Sequence, residues 1–564
     1  MVALVVSGSL IQAATYAQPS QPAGDPKTES RATATTAGDQ PRAVSLEEEP
    51  AGNGPVTAGR MTEEAALGER LVGAERWREA AAVLKRVVDG DTGDDEGNRQ
   101  IAQYHLAIAL YRSHFYQASY RIFSEIADRP SHLRFDETLL WLAKLAAQLP
   151  EPADVIGRVG KYRSDSIERF DNPQQRDVFS RLNYLLGRYK NRSGAHDEAI
   201  HLFEKVDRSS KHYVEAQFWS GLSSVELRRS VPALRSFKRM EEALDEDPGI
   251  EDAGRLRDLA YLSIARTYYS AWIRLDKDGR SLTSPKLTAG VKYWDRVGPW
   301  SEHWLDALFE KSWAYFWAGD YSRALGAIHT VQAPYFPDAF YPEAEVLKGI
   351  IAFTACQYED AITIVDGIHT KYYPIRRELE ATLDRFRGAA NDPQLFTFLN
   401  EVRGGKAGLS PMMRPVIEGA LSDRRLLRNI AYVRDIDEER ARFEQAPAAF
   451  RGSPIGGDIA EALSLARERA VRDAGALTRR RIRRRLEELK GNLTDAIKLH
   501  LDILNAQRDL LDAPITNAQR MKREALTYGV VQPDSKHVVW PFDGEYWRDE
   551  LGSYRAVVVS KCAR

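Results

Sequence analysis

Three sets of residues in this chain carry reactive groups, and each set has a spacing that can be tested against known chemistry. The eleven histidines include His196, His201 and His212, the only cysteines are Cys356 and Cys562, and Arg479–Arg485 holds six arginines in seven residues. A zinc site needs Cys, His or carboxylate ligands in short, paired spacings. No such partner accompanies His196, His201 and His212. A phosphate cradle needs a Gly-rich loop that ends in Lys-Ser or Lys-Thr. Arg403-Gly404-Gly405-Lys406-Ala407-Gly408 lacks that spacing and reads as a loop between helices. There is no Gly-x-Ser-x-Gly elbow for a nucleophilic serine. Adjacent carboxylates such as Asp549-Glu550 are expected by chance when 28% of residues are charged. The sequence therefore assigns no catalytic residue, no metal ligand and no cofactor, and the chain reads as a non-enzyme.

The cysteines and arginines admit other uses. Cys356 and Cys562 stand 206 residues apart, so a disulfide would tie the C-terminus back to the middle of the chain. The alternative is a small packing residue and a free thiol. Arg479, Arg480, Arg483 and Arg484 form a candidate docking patch for an anionic partner. Against this, no aromatic residue interleaves the run, and Glu487 and Glu488 follow within a turn. The competing reading is a solvated helix face paired with Asp435, Asp437, Glu438 and Glu439 of a facing arm. Overall charge is balanced, with Lys+Arg 79 against Asp+Glu 81, so nucleic acid is not an expected partner.

The elements that must position these residues are helices. Gly187, Ala199 and Phe203 recur 34 residues later as Gly221, Ala233 and Phe237. A small residue on one helix, Ala twelve on and an aromatic four further let two antiparallel helices cross closely and stack on the next pair. Gly319, Tyr321 and Ala324 follow the same template, as do Gly349, Tyr358 and Ala361, with Pro374 expected to close that unit. Upstream, Gly68, Trp77, Ala80 and Leu84 fit, and Ala107, Phe115 and Ala118 fit with a shorter turn. Ala265 and Tyr268 pair with Ala289 and Tyr293 across a connection lengthened around Leu275–Arg280.

This register resembles the tetratricopeptide repeat (TPR) family. The resemblance covers residues 61–375 and implies an all-α solenoid of about seven to eight helix pairs. It further implies a non-catalytic scaffold that holds a protein partner in a groove lined by the first helix of each pair. By register, the groove candidates are Asn183 and Lys190 in one pair and Gln217 and Ser224 in the next.

The flanks differ in character. Residues 1–17 form a short apolar run ending Thr15-Tyr16-Ala17, similar to a signal peptide without its basic leader and too short to span a bilayer. Residues 18–60, rich in Pro, Ala and Thr, read as a disordered linker. Together these predict export to a periplasm, with a cytoplasmic TPR regulator as the alternative. Residues 376–512 predict two long helices, Leu409–Gln445 and Asp458–Asp512, joined by a turn at 446–457 into an antiparallel, coiled-coil-like hairpin through which the chain can oligomerise. Its seam ends in Leu493, Ile497, Leu501 and Leu504, and Gly475 and Gly491 are the expected bend points. The tail, 513–564, gathers Trp540, Phe542, Tyr546 and Trp547 ahead of a short strand. Trp540, Phe542 and Trp547 are candidates for partner recognition; the competing reading staples the tail onto the helices. The string from Trp540 to Gly552 resembles the tails of TPR proteins in bacterial cell-envelope machineries, including gliding-motility complexes. That resemblance implies, as an alternative, a structural subunit of such a machine.

Overall fold

A short polar residue ahead of the apolar stripe caps some of the helices, as at Thr62, Asp95, Asp320 and Asp423. In this computed structural model the described residues are 56–275, 283–512, 526–528 and 538–562. The apolar run 1–17, all but the last residues of the linker, and the connection 276–282 lie outside them.

Residues 56–142 and 447–458 form one packed unit. It contains α1 (Glu63–Gly73), α2 (Trp77–Asp89), α3 (Glu96–Arg112) and α4 (Tyr116–Ala127), each packed on the next. Thr62 caps α1 by accepting from the Ala65 amide at 3.2 Å, and Asp95 caps α3 by accepting from the Asn98 amide at 2.7 Å. Ala80, Leu84, Leu106, Leu110, Phe115 and Phe123 form the core. At Gly68 the two helices cross so closely that a Cβ would stand 2.6 Å from Leu84 Cδ2.

Residues 143–446 and 459–562 form the second unit, which begins within α5 (Phe135–Gln148). Two short helices, α6 (Val155–Val159) and α7 (Ser164–Glu168), precede a run of pairs. These are α8 (Arg176–Arg192) with α9 (His196–Glu204), α10 (Tyr213–Glu226) with α11 (Ser230–Glu246), and α12 (Ala253–Leu275) with α13 (Pro285–Trp294). Next come α14 (Trp304–Trp317) with α15 (Tyr321–Val331), and α16 (Pro342–Thr354) with α17 (Tyr358–Arg385). A Cβ on Gly187 would stand 2.6 Å from Phe203 Cε1, and one on Gly221 would overlap the Phe237 ring. Ala199, Ala233, Ala324 and Ala361 are fully buried at the crossings. This is an all-α solenoid, because neither helix of a pair can bury its apolar stripe alone.

One turn closes most pairs. Glu75, His114, Gly194, Arg228, Gly319 and Cys356 all adopt positive φ, between 57° and 82°, immediately after a first helix. In each turn the left-handed residue donates to the carbonyl three back and its successor to the carbonyl five back, as with Arg228 to Val225 and Arg229 to Ser224, both at 2.8 Å. These bonds satisfy the orphan carbonyls of the helix end.

Pro374 does not close its unit. It sits inside α17, which continues to Arg385 because Ile368, Tyr372, Ile375 and Leu379 bury one continuous face across it. After α18 (Asp392–Arg403), the first predicted arm is two helices, α19 (Met413–Leu421) and α20 (Arg424–Glu444). The break falls at Asp423, whose Oδ1 accepts from the Arg425 and Leu426 amides at 3.1 Å and so starts a new helix. Beyond α21 (Ala448–Arg451), α22 runs unbroken from Pro454 to Asp512. Gly475 is no bend point: a Cβ there would collide with the Asp392 carbonyl, so the glycine admits the start of α18 against α22. The seam of α22 also turns away from its expected line. Ala496, Leu499 and Ile503 are buried, whereas Ile497, Leu501 and Leu504 are 49%, 56% and 46% exposed. Near the end, β1 (Leu526–Tyr528) pairs antiparallel with β2 (Val558–Ser560), Leu526 opposite Ser560.

Candidate functional site

The sequence places four groove candidates on α8 and α10, and packing takes three of them out of reach. Asn183, Gln217 and Ser224 are 1%, 3% and 1% exposed. Asn183 Nδ2 donates back to the Phe179 carbonyl of its own helix at 2.9 Å. Lys190 is half-buried and paired with Glu198 at 2.7 Å. Their register was shifted toward the neighbouring helix, because stacking between pairs, which no single pair encodes, decides which side of a first helix is left open.

Between α8 and α10 lies a largely covered polar and aromatic cluster, in which Tyr184 is buried, the Arg188 side chain is mostly covered and Glu215 reaches the surface. Arg188 Nη1 donates to Tyr184 Oη at 2.9 Å and Nη2 to Glu151 Oε1 at 2.6 Å. Tyr184 Oη donates to Glu215 Oε2 at 2.6 Å, and the Arg188 guanidinium lies 4.0 Å from the centre of the Trp219 ring. His212 stacks on Tyr184 with centroids 4.9 Å apart. Burial would raise the Glu151 carboxyl, but the charges of Arg188, Arg428 and Arg425 outweigh it and hold it below its usual range. Burial pushes the Tyr184 hydroxyl up and His212 down, to about 4. The sequence offered no signal for this cluster, since Glu151, Arg188 and Trp219 belong to three separate elements.

Part of this cluster is already covered from within the chain. Arg428 of α20 reaches Glu151 at 3.4 Å, and Arg424 reaches Asp252 at 3.1 Å and Glu302 at 3.2 Å, each of them just ahead of a first helix.

The arginine run serves mostly internal pairing. Arg479 meets Asp392 at 2.7 Å and Arg481 meets Asp423 at 2.8 Å, while Arg484 and Arg485 meet Glu488 of their own helix. The acidic residues expected opposite the run are used elsewhere: Asp437 pairs with Arg467 at 2.6 Å, and Glu439 is buried. Arg480 and Arg483 remain at the surface. Partial covering of its side chain and the nearby charge of Arg425 lower the pKa of the Arg480 guanidinium.

The tail aromatics pack chiefly on one another and on α15. Trp540 stacks on Trp547 with centroids 4.4 Å apart, and Phe542 meets His329 edge-on at 4.7 Å. Phe542 and Trp547 are still 50% and 39% exposed. Cys356 and Cys562 form a disulfide, with Cα atoms 5.0 Å apart. Among the described residues no group of His, Cys, Asp and Glu is placed to hold a metal ion, and no helix is long and apolar enough to cross a membrane.

The chain matches no protein-family profile and no curated protein sequence. Among solved structures it aligns with a Rap protein complexed with competence and sporulation factor, at 13% identity over 77% of this chain and 98% of that one, with a TM-score of 0.26. It also aligns with a circular tandem repeat protein of novel repeat topology and enhanced subunit contact surfaces, at 14% identity over 78% and 96%, with a TM-score of 0.13. At those scores the backbones do not superpose along their length, so the class follows from the chain's own packing. It is a helical-repeat protein.

Proposed function

We propose that this chain is a non-catalytic scaffold of the tetratricopeptide-repeat type, which binds a peptide or helix of another protein within a bacterial cell envelope. The observation that carries the reading is the run of pairs α8–α17, with glycine against phenylalanine at successive 34-residue crossings. Such arrays expose a long surface whose side chains vary without disturbing the core. Partly exposed on α10, Trp219 lies beside the Arg188 guanidinium, residue types that concentrate binding energy. Export is supported by the Cys356–Cys562 bond, since disulfides persist in oxidising compartments and are rare in the cytosol.

A second reading, a structural subunit that assembles through its long helix, is favoured by the half-exposed stripe Ile497, Leu501 and Leu504 on α22. Two measurements separate these readings. Proximity labelling from the tagged full chain in its native cell should enrich a discrete set of envelope proteins, and Trp219→Ala should deplete part of that set. Sedimentation of the purified full chain should show a monomer at micromolar concentration under the first reading and a concentration-dependent oligomer under the second. A fusion to a reporter that is active only in an oxidising compartment should be active; a silent, soluble fusion refutes export.

A further inference from the structure

We propose that Ser322, Gly326, His329 and Thr330 of α15, with Ala355 and Gln357 at the α16–α17 turn, form a docking site for an extended aromatic peptide. Residues 546–561 occupy it in cis and the Cys356–Cys562 disulfide locks them there. This goes beyond the scaffold reading and does not depend on it.

The site is defined by the segment seated on it. Ser322, Gly326 and Thr330 lie four residues apart and so share one line along α15. The tail follows that line. The Gly552 amide donates to Thr330 Oγ1 at 2.9 Å, and the Tyr554 carbonyl passes directly over Gly326, where a Cβ would overlap it. The Ala556 amide donates to the Ser322 carbonyl at 3.1 Å, and Ser322 Oγ donates to the Ala556 carbonyl at 2.7 Å. Further along, Gln357 Nε2 donates to the Val559 carbonyl and the Lys561 amide to the Ala355 carbonyl, both at 2.8 Å. Every one of these bonds reads the main chain of the tail, and any extended peptide presents the same groups.

Side-chain selection falls to His329. Its ring stacks on Tyr546 with centroids 4.4 Å apart and meets Phe542 and Tyr554 edge-on at 4.7 and 4.9 Å. Tyr335 fixes the entry by donating from Oη to the Tyr546 carbonyl at 2.7 Å. Within the tail, Tyr554 Oη accepts from the Trp547 amide at 2.8 Å and donates to the Trp547 carbonyl at 2.9 Å, which folds the aromatic residues into one block. The site therefore selects a segment with aromatic residues at the places of Tyr546 and Tyr554, joined by a tight turn at Arg548–Glu550 and followed by an extended run.

The disulfide decides whether the tail holds the site against a competitor. While the bond is closed, the tail is present at the site at a very high effective concentration. A dithiol reductant converts the bond to two cysteine thiols and is itself oxidised to its cyclic disulfide. The tail then holds by non-covalent contacts alone, and a free peptide of the same chemistry competes with it.

The test uses a fluorescent synthetic peptide of residues 540–562 carrying Cys562→Ser, titrated onto the full chain. The oxidised chain should bind it at least tenfold more weakly than the chain in dithiothreitol, and the full-length Cys562→Ser variant should behave as the reduced chain does. Gly326→Ala, with folding checked by circular dichroism, should abolish binding under reduction. Amide exchange of residues 546–561 should accelerate on reduction. Equal binding in both redox states, no binding in either, or binding that survives Gly326→Ala would each overturn the proposal.

Discussion

Cys562 is bonded to Cys356, and Cys356 occupies the left-handed residue of the α16–α17 turn, the place taken by Gly194 and Gly319 in other pairs. The turn that closes most of the pairs thus also anchors the end of the chain here. The bond closes a loop of 206 residues that contains all of α17 to α22. Loop closure of that length restricts the unfolded chain strongly, so Cys562→Ser should lower stability by about 2–5 kcal/mol. Chemical denaturation in non-reducing buffer checks this, and adding a dithiol to the unmutated chain should reproduce the loss.

A buried ion pair ties three helices together. Arg266 of α12 donates from Nε and Nη2 to Glu310 of α14 at 2.6–3.0 Å, and Trp294 Nε1 of α13 donates to the same carboxylate at 3.2 Å. Arg266→Ala leaves that carboxylate buried without its cation and should cost about 3–5 kcal/mol. Adding Glu310→Leu to it should restore part of the loss, read as a rise in melting temperature over the single variant.

Glu343 makes stability pH-dependent. Burial, reinforced by the charges of Asp495 and Glu488 on α22, pushes its carboxyl up to about 7. An acid whose pKa is raised by folding keeps a proton that the unfolded chain releases. Its contribution is therefore fully present below about 4.5 and is lost as pH rises through about 7. Urea midpoints should fall between pH 5 and pH 8, and Glu343→Gln should flatten that slope. An unchanged slope in the variant would remove Glu343 as its cause.

The left-handed turn residues predict opposite effects at equivalent places. Arg228 is held at φ 58°, where a side chain is strained, so Arg228→Gly should stabilise the chain by a few tenths to about 1 kcal/mol. Gly194, at φ 81° in the preceding pair, should lose about 1 kcal/mol on change to Ala. Paired thermal melts of the two variants check both signs.

Local periodicity made the pairs legible. Gly187 and Phe203 lie on helices joined by a three-residue turn, so their contact follows from spacing along one stretch of chain. The failures came where two distant stretches meet. Asn183, Gln217 and Ser224 are buried, because which side of a helix stays open is chosen by the neighbouring pair. Pro374 and Gly475 carry local rules that packing overrides: a continuous buried stripe carries α17 on through a proline, and the approach of α18 turns a suspected bend into a contact.

The sequence by itself determined that the chain is all-α and built of stacked pairs, since helix periodicity and close-crossing residues act over a few dozen positions. Only the tertiary structure decided that Arg479 and Arg481 meet Asp392 and Asp423, that Cys356 meets Cys562, and that the tail lies along α15. Charge, thiol and backbone pairing have no period. They depend on distances between segments up to two hundred residues apart, and those distances exist only after the solenoid has closed around its core.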